Sequence, residues 1–195
     1  MNTSSLLPWS ASAFETKYRQ NDDPWNFATS LYERKRYQST LDALSHPAYG
    51  PAFEPGCSIG ELSRQLAARC QSVFATDISA SSVATAKQRC SDLLNVDFRC
   101  GEFSIANFPQ GPFDLMVLSE ILYYFSKQDL VNLAASAHEH LSAGGELIAV
   151  HWLGHSVDHQ LHGDTVHEIL NRCLRLRKLK EVRDEGFRID SWERM

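Results

Sequence analysis

The chain has 195 residues, 43% of them hydrophobic and 22% charged, the composition of an ordinary globular protein able to bury a substantial core. A net charge of −5 with no basic stripe excludes a phosphate-tracking nucleic-acid binder. No apolar run is long enough to span a bilayer, no charged-then-apolar leader opens the sequence, and the five cysteines are scattered without a C-x-x-C pair, so a cytoplasmic chain with reduced thiols and no membrane partner is expected.

Residues 1–30 read as a partly irregular arm whose Trp9, Phe14, Tyr18, Trp25 and Phe27 belong against a domain rather than in water. From Ser30 a helix is expected, with Leu31, Tyr37, Leu41 and Leu44 on its apolar face and His46-Pro47 at its end. Ala52–Glu54 is a short strand, with Pro51 tolerable at its first residue, and Leu62 and Leu66 mark the next helix. Val73–Asp77 reads as the second strand, and Ser79 caps a helix to about Cys90. Val96–Cys100 is a third strand. Phe113–Ser119 is a near-continuous apolar run, as in a strand covered on both faces. Ser126 to Asp129 resembles a capping box with Asp in place of the usual Glu or Gln. The helix it starts carries Leu130, Leu133, Ala134, Ala137 and Leu141, and Gly144-Gly145 is expected to stop it. Glu146–Trp152 is a fifth strand, Asp164 caps a helix to about Leu174, and Leu176–Val182 pairs with Phe187–Trp192 across Asp184-Glu185-Gly186. The basic cluster from Arg172 to Lys180 is broken by leucines and reads as a solvated helix end leading into a strand.

Five βα steps followed by a hairpin predict a doubly wound, Rossmann-like α/β fold with a seven-stranded sheet, mostly parallel, and an antiparallel strand in the C-terminal hairpin. One domain is expected over 1–195, with an N-terminal arm and helix in 1–46 lying over the ligand site and the core in 47–195. Ligands of such sheets bind beyond the carboxyl ends of the strands, where strand order reverses. The first βα turn is Glu54-Pro55-Gly56-Cys57-Ser58-Ile59-Gly60. Gly56 permits a tight turn, Gly60 lets the helix start close to the sheet, and the N–H groups between them can meet a carboxylate or phosphate. Alone, G-x-x-x-G is as compatible with a purely structural turn, and the three-glycine spacing of a nicotinamide oxidoreductase is missing. Asp77 ends the second strand 17 residues after Gly60, where a carboxylate accepts ribose hydroxyls, and Glu102 ends the third beside the place of an adenine. Glu54 reads as a buried local brace. The exits of strands four and five, Ser119-Glu120-Ile121-Leu122-Tyr123-Tyr124 and His151-Trp152, flank the same crevice. His155 and His159 are four apart, but no cysteine or carboxylate cluster completes a zinc set, so no metal is expected. That segment reads instead as a loop over an acceptor pocket, with Trp152, His162, Asp164 and His167 facing in.

The Glu54-x-Gly56-x-Ser58-x-Gly60 turn resembles the first motif of the class I S-adenosylmethionine methyltransferases, with Ser58 in place of the middle glycine. The resemblance implies S-adenosylmethionine as cofactor and S-adenosylhomocysteine as product, held by Glu54, Gly56, Cys57, Gly60 and Ser119, by Asp77 at the ribose, and by Glu102 near the adenine with Phe103 or Ile78 on the ring. Asp22-Asp23-Pro24-Trp25, Tyr32-Glu33-Arg34 with Tyr37, the Gly56–Gly60 turn, and Gly163-Asp164 with His167 are similar to the nodulation protein S family, whose members N-methylate the free amine of a deacetylated chitooligosaccharide. This similarity implies that Trp25 and Arg34 fold over the methionine end, Arg34 pairing with its carboxylate, and that the small-molecule acceptor carries an amine. Methyl transfer from a sulfonium needs proximity, a dry site and a neutral amine. Glu120 is placed to hold a cationic or polar acceptor, His151 to take the proton, and Tyr123 and Tyr124 to bind the acceptor. An O-methyltransferase of another small metabolite and a catalytically inactive nucleoside-binding module are the other readings. Nothing in the sequence sets an oligomeric state.

Overall fold

The computed structural model describes Leu7 and residues 9–195; residues 1–6 and 8 of the arm lie outside the described residues. A seven-stranded sheet is built from β1 (Tyr49–Pro55), β2 (Cys70–Asp77), β3 (Val96–Cys100), β4 (Phe113–Ser119), β5 (Leu141–Trp152), β6 (Arg177–Arg183) and β7 (Phe187–Glu193), in the order β3-β2-β1-β4-β5-β7-β6. The first five strands run parallel, and β7 lies antiparallel to both β5 and β6. The expected fold class is therefore what forms. Strand order reverses between β1 and β4, so their carboxyl ends open onto the crevice where a ligand is predicted to lie.

The periodicity of β4 shows why both faces are covered. Leu115 and Val117 point into one buried cluster with Leu62 and Leu66 of α3 (Glu61–Ala67) and Val83 and Ala86 of α4 (Ala80–Arg89). Met116 and Leu118 point into the other, with Leu130 and Leu133 of α5 (Lys127–His140) and Val166 and Leu170 of α6 (Gly163–Cys173). Each of these leucines buried on α5 and α6 is fully excluded from solvent, and truncating one to alanine typically costs about 2–5 kcal/mol.

Five local expectations change. The arm contains a helix, α1 (Ala11–Gln20), with Ser10 as its cap, and α2 (Leu31–Ala43) turns Glu33, Arg36, Tyr37 and Thr40 inward while Leu31 is 78% exposed. The stop after α5 is not the glycine pair: the helix ends at His140, and Leu141 already pairs with Phe113. Gly144, at φ +76°, and Gly145 instead form the irregularity before the regular register of β5 resumes at Glu146. Asp164 lies inside α6, whose cap is His162, and β1 begins two residues before Pro51, a proline paired only on its β2 side. No helix among the described residues is long and apolar enough to cross a membrane.

Candidate active site

A cavity of about 1230 Å³ opens over the carboxyl ends of β1 to β5, roofed by α1 and by the segment between β5 and α6. Its floor is set by the turn after β1. Gly56 (φ +74°), Ser58 (φ +51°) and Gly60 (φ +83°) all hold left-handed backbone, and the Gly56 and Cys57 amides both donate to the Thr76 carbonyl. A Cβ on Gly60 would meet Ala86 at 3.2 Å, so the start of α3 can approach α4 only without one. Ser58, occupying the middle-glycine position, adopts αL at a cost of about 1–2 kcal/mol. Two bonds offset that cost: its amide donates to Asp77 Oδ2 at 2.9 Å, and its hydroxyl bonds the Tyr18 hydroxyl of α1.

Asp77 is the hinge of this geometry. Its Oδ2 accepts from Ser58 and its Oδ1 from the Ser79 amide at 2.9 Å, while each oxygen keeps a further lone pair for a ligand hydroxyl. Burial raises its pKa, and the Ser79, Ser82 and Ser58 bonds oppose that rise. Beneath the turn Glu54 is fully buried and bonded by the Ser63 hydroxyl; burial pushes its pKa up to about 8, so the brace is a neutral acid at neutral pH. On the roof, Glu15 of α1 accepts from the Ser79 and Ser81 hydroxyls and the Ser81 amide at the start of α4, and these bonds hold its carboxyl at about 2.

At the other end Glu120, itself at φ +58°, accepts from the Tyr123 hydroxyl (2.7 Å) and the Trp152 amide (2.6 Å) and ion-pairs with Arg36 (2.8 Å). Arg36 also pairs with Glu33 and is 2% exposed. Burial lifts Glu33 to about 7 against the pull of the Arg36 charge. Arg36 Nε, buried, has no hydrogen-bond partner among the described residues, which leaves a donor for an anionic ligand group. His159 stacks on Tyr123, ring centroids 3.7 Å apart, with Tyr124 and Trp152 edge-on. Burial lowers its pKa, so it is a free base at neutral pH. Lys17 of α1 bonds Asp158 at 2.6 Å, joining the two halves of the roof.

The family described as "Methyltransferase domain" matches residues 52–145. A putative methyltransferase from Pseudomonas syringae is 36% identical, with a TM-score of 0.74 over 85% of this chain and all of that one. The chain belongs to the methyltransferase family. The N-methyltransferase NodS of Bradyrhizobium japonicum WM9, solved in complex with S-adenosyl-l-homocysteine, superposes at TM-score 0.82 with 24% identity, covering 94% of this methyltransferase and 97% of that chain. Nodulation protein S of Sinorhizobium fredii is 26% identical over 165 residues, 78% of this chain and 73% of its own length. The methyltransferase assignment and the class I fold expected from the sequence thus stand.

Of the residues singled out in the sequence, the methyltransferase brings Trp25, Gly56, Asp77, Ile78, Glu102 and Phe103 to the cavity wall, and with them Glu120, Tyr123, Tyr124 and Trp152. Glu54, Cys57 and Ser119 line a small adjoining void of about 30 Å³ behind the turn, and Gly60 shapes the turn without facing the cavity. Five expectations are corrected. Arg34 is exposed on the outer face of α2, and Arg36, two residues on, faces the cavity. His151 and His167 are fully buried and bonded to each other, away from the cavity wall. His162 is spent on the Leu153 carbonyl and the Asp164 amide. Asp164 is gripped by Arg183 and Arg188, and chiefly the Arg183 bond holds its carboxyl at about 2. Among the described residues no group of three or more His, Cys, Asp or Glu is placed to hold a metal, and the five cysteines are free thiols. Arg36 was findable: Glu33, Arg36, Tyr37 and Thr40 fall at helical spacing on the face that contains Tyr37. His159 carried no comparable signal, because its place depends on a loop.

Proposed function

We propose that this methyltransferase moves a methyl group onto the amine of a small-molecule acceptor, of the amino-sugar type. The observation that carries the reading is the polar end of the cavity: Glu120, fixed by Arg36, the Tyr123 hydroxyl and the Trp152 amide, presents its carboxyl to the cavity beside Glu33, an acceptor pair suited to an ammonium. The neighbouring Trp152, Tyr124 and His159 ring faces suit a sugar-like body. NodS, an N-methyltransferase by name, supports the same class.

When bound, S-adenosylmethionine supplies an electrophilic methyl on a sulfonium. The chain's residues would suit it: Asp77 would hold ribose hydroxyls, Glu102 with Phe103 or Ile78 would border the base, and Arg36 Nε with the Gly56–Gly60 turn and Trp25 would hold the amino-acid end. Glu120 orients the incoming ammonium, and His159 takes its proton, the role the sequence suggested for His151. The aromatic roof of Phe14, Tyr18 and Trp25 keeps water out. Residues 1–195 act as one methyltransferase domain, in the cytoplasm and without a nucleic-acid partner. The test is turnover of labelled S-adenosylmethionine with glucosamine, deacetylated chitotetraose, small alkylamines and catechols. Methylation of the amino sugars is expected. Turnover on hydroxyls alone would make it an O-methyltransferase, and homocysteine-product binding without turnover would make it a nucleoside-binding module.

A further inference from the structure

A hydrogen-bond chain runs from β7, one strand in from the sheet edge, to the acceptor end of the cavity. The Leu122 amide donates to His151 Nε2 at 3.2 Å, His151 Nδ1 lies 3.2 Å from His167 Nε2, and His167 Nδ1 lies 2.8 Å from Asp190 Oδ2. The three side chains come from β5, α6 and β7 and are fully buried. Both ends of the chain are fixed in polarity, since an amide only donates and a carboxylate only accepts. His151 Nε2 must therefore carry the lone pair and its Nδ1 the proton. That proton is donated to His167 Nε2, which leaves the His167 proton on Nδ1, facing Asp190. A second proton on either ring would set N–H against N–H. Burial, the leading cause for both rings, lowers their pKa values in agreement. Burial alone would raise the Asp190 carboxyl, yet the bond from His167 and the charges of Arg188 and Lys178 hold it below the ordinary range.

The arrangement superficially resembles a catalytic relay, but it ends on a backbone amide rather than a reacting group. What it holds is the single 3-10 turn Leu122–Tyr124. Tyr123 in that turn packs edge-on to the His151 ring, donates to Glu120, stacks on His159, and accepts from the Gln160 and Leu161 amides through its carbonyl. We propose that His151, His167 and Asp190 are positioning residues for the acceptor: they lock the Leu122–Tyr124 turn and, through Tyr123, set Glu120 and His159. The kinetic half of this proposal rests on the amine-acceptor reading; the structural half does not.

The test uses the full chain labelled with 15N-histidine. Both rings are expected as neutral Nδ1–H tautomers near neutral pH, the opposite of the form free histidine prefers, and a Nε2–H tautomer on either ring overturns the proposal. In Asp190→Asn the carboxamide keeps the size but its NH2 must oppose Arg188, Lys178 or the His167 N–H. Its Leu122 amide is expected to exchange at least about tenfold faster than in the parent, and unchanged exchange overturns the proposal even if no acceptor is ever turned over. With deacetylated chitotetraose as acceptor, kcat/KM is expected to fall about 10²-fold, as for a misplaced near-attack geometry, while the S-adenosylhomocysteine Kd stays within about twofold. Equal loss in both, or in neither, overturns it. Should Asp190→Asn not fold, the parent's tautomers still decide.

Discussion

Replacing Asp77 with asparagine separates the two jobs that one carboxylate performs. In the parent each oxygen accepts one backbone N–H, from Ser58 and from Ser79, both at 2.9 Å, and Asp77 lines the cavity. Asparagine has a single acceptor oxygen, so its NH2 must point at one of these amides, donor against donor. One buried N–H then goes unpaired, at about 1–3 kcal/mol, but the burial penalty on the carboxylate, which raises its pKa, is returned. The two effects oppose each other, so Tm is expected to fall by less than about 10 °C. The ligand feels no such opposition. One ribose hydroxyl loses a charge-assisted bond and the other faces a neutral acceptor, together about 3 kcal/mol, or roughly 10²-fold in Kd. Titration calorimetry with S-adenosylhomocysteine reads this directly, with Asp97→Asn, an exposed carboxylate bonded to Arg99, as the control. A Kd within threefold of the parent in Asp77→Asn, with Tm lowered by more than about 10 °C, would refute the ribose assignment and leave Asp77 a brace of the turn.

Arg36→Leu removes the cation that Glu33 and Glu120 both bond and leaves Glu120 unpaired in a mostly buried wall, so a loss of about 3–5 kcal/mol is expected in urea denaturation, whereas Arg34→Ala, on the exposed face, should stay within about 0.5 kcal/mol. Glu54 gives a pH signature. Its folded pKa of about 8 lies above the unfolded value near 4.5, so between those limits the folded state holds the extra proton and stability falls as pH rises. Glu54→Gln is expected to flatten this fall by on the order of 4 kcal/mol between about pH 5 and pH 8, measured as the difference between parent and variant denaturation curves. Parallel curves would show that Glu54 is ionised in the folded protein.

The sheet was legible because its signals are local. The run Phe113–Ser119 and the alternation of Val96–Cys100 match their strands end to end, and the glycine turn and Asp77 fall where strand ends must fall. Side-chain destinations were less legible. Arg34 and Arg36 are the same residue type two positions apart, and only the rotation of α2 against the core separates an exposed cation from a buried one. His151 has the strand-end address of a catalytic base, but β5 turns it toward α6, where His167 and Asp190 wait. His162 and Asp164 read in the sequence as part of a loop over the acceptor pocket; instead they start α6 and anchor the β6–β7 hairpin.

The arm and the glycine turn act as one unit, which explains how a serine is tolerated where the motif asks for glycine. Glycine at position 58 would relieve the αL cost of about 1–2 kcal/mol but would also remove the hydroxyl that Tyr18 bonds. Three residues earlier on the same helix, and so on the same face, Glu15 bonds Ser79 and Ser81, just past Asp77. One turn of α1 thereby touches the end of β1 through Ser58 and the end of β2 through Ser79, the two strand ends between which a nucleoside must lie. The roof is thus tied to the floor on both sides of the ligand, so the left-handed serine belongs to the closure of the cavity as much as to the shape of its floor.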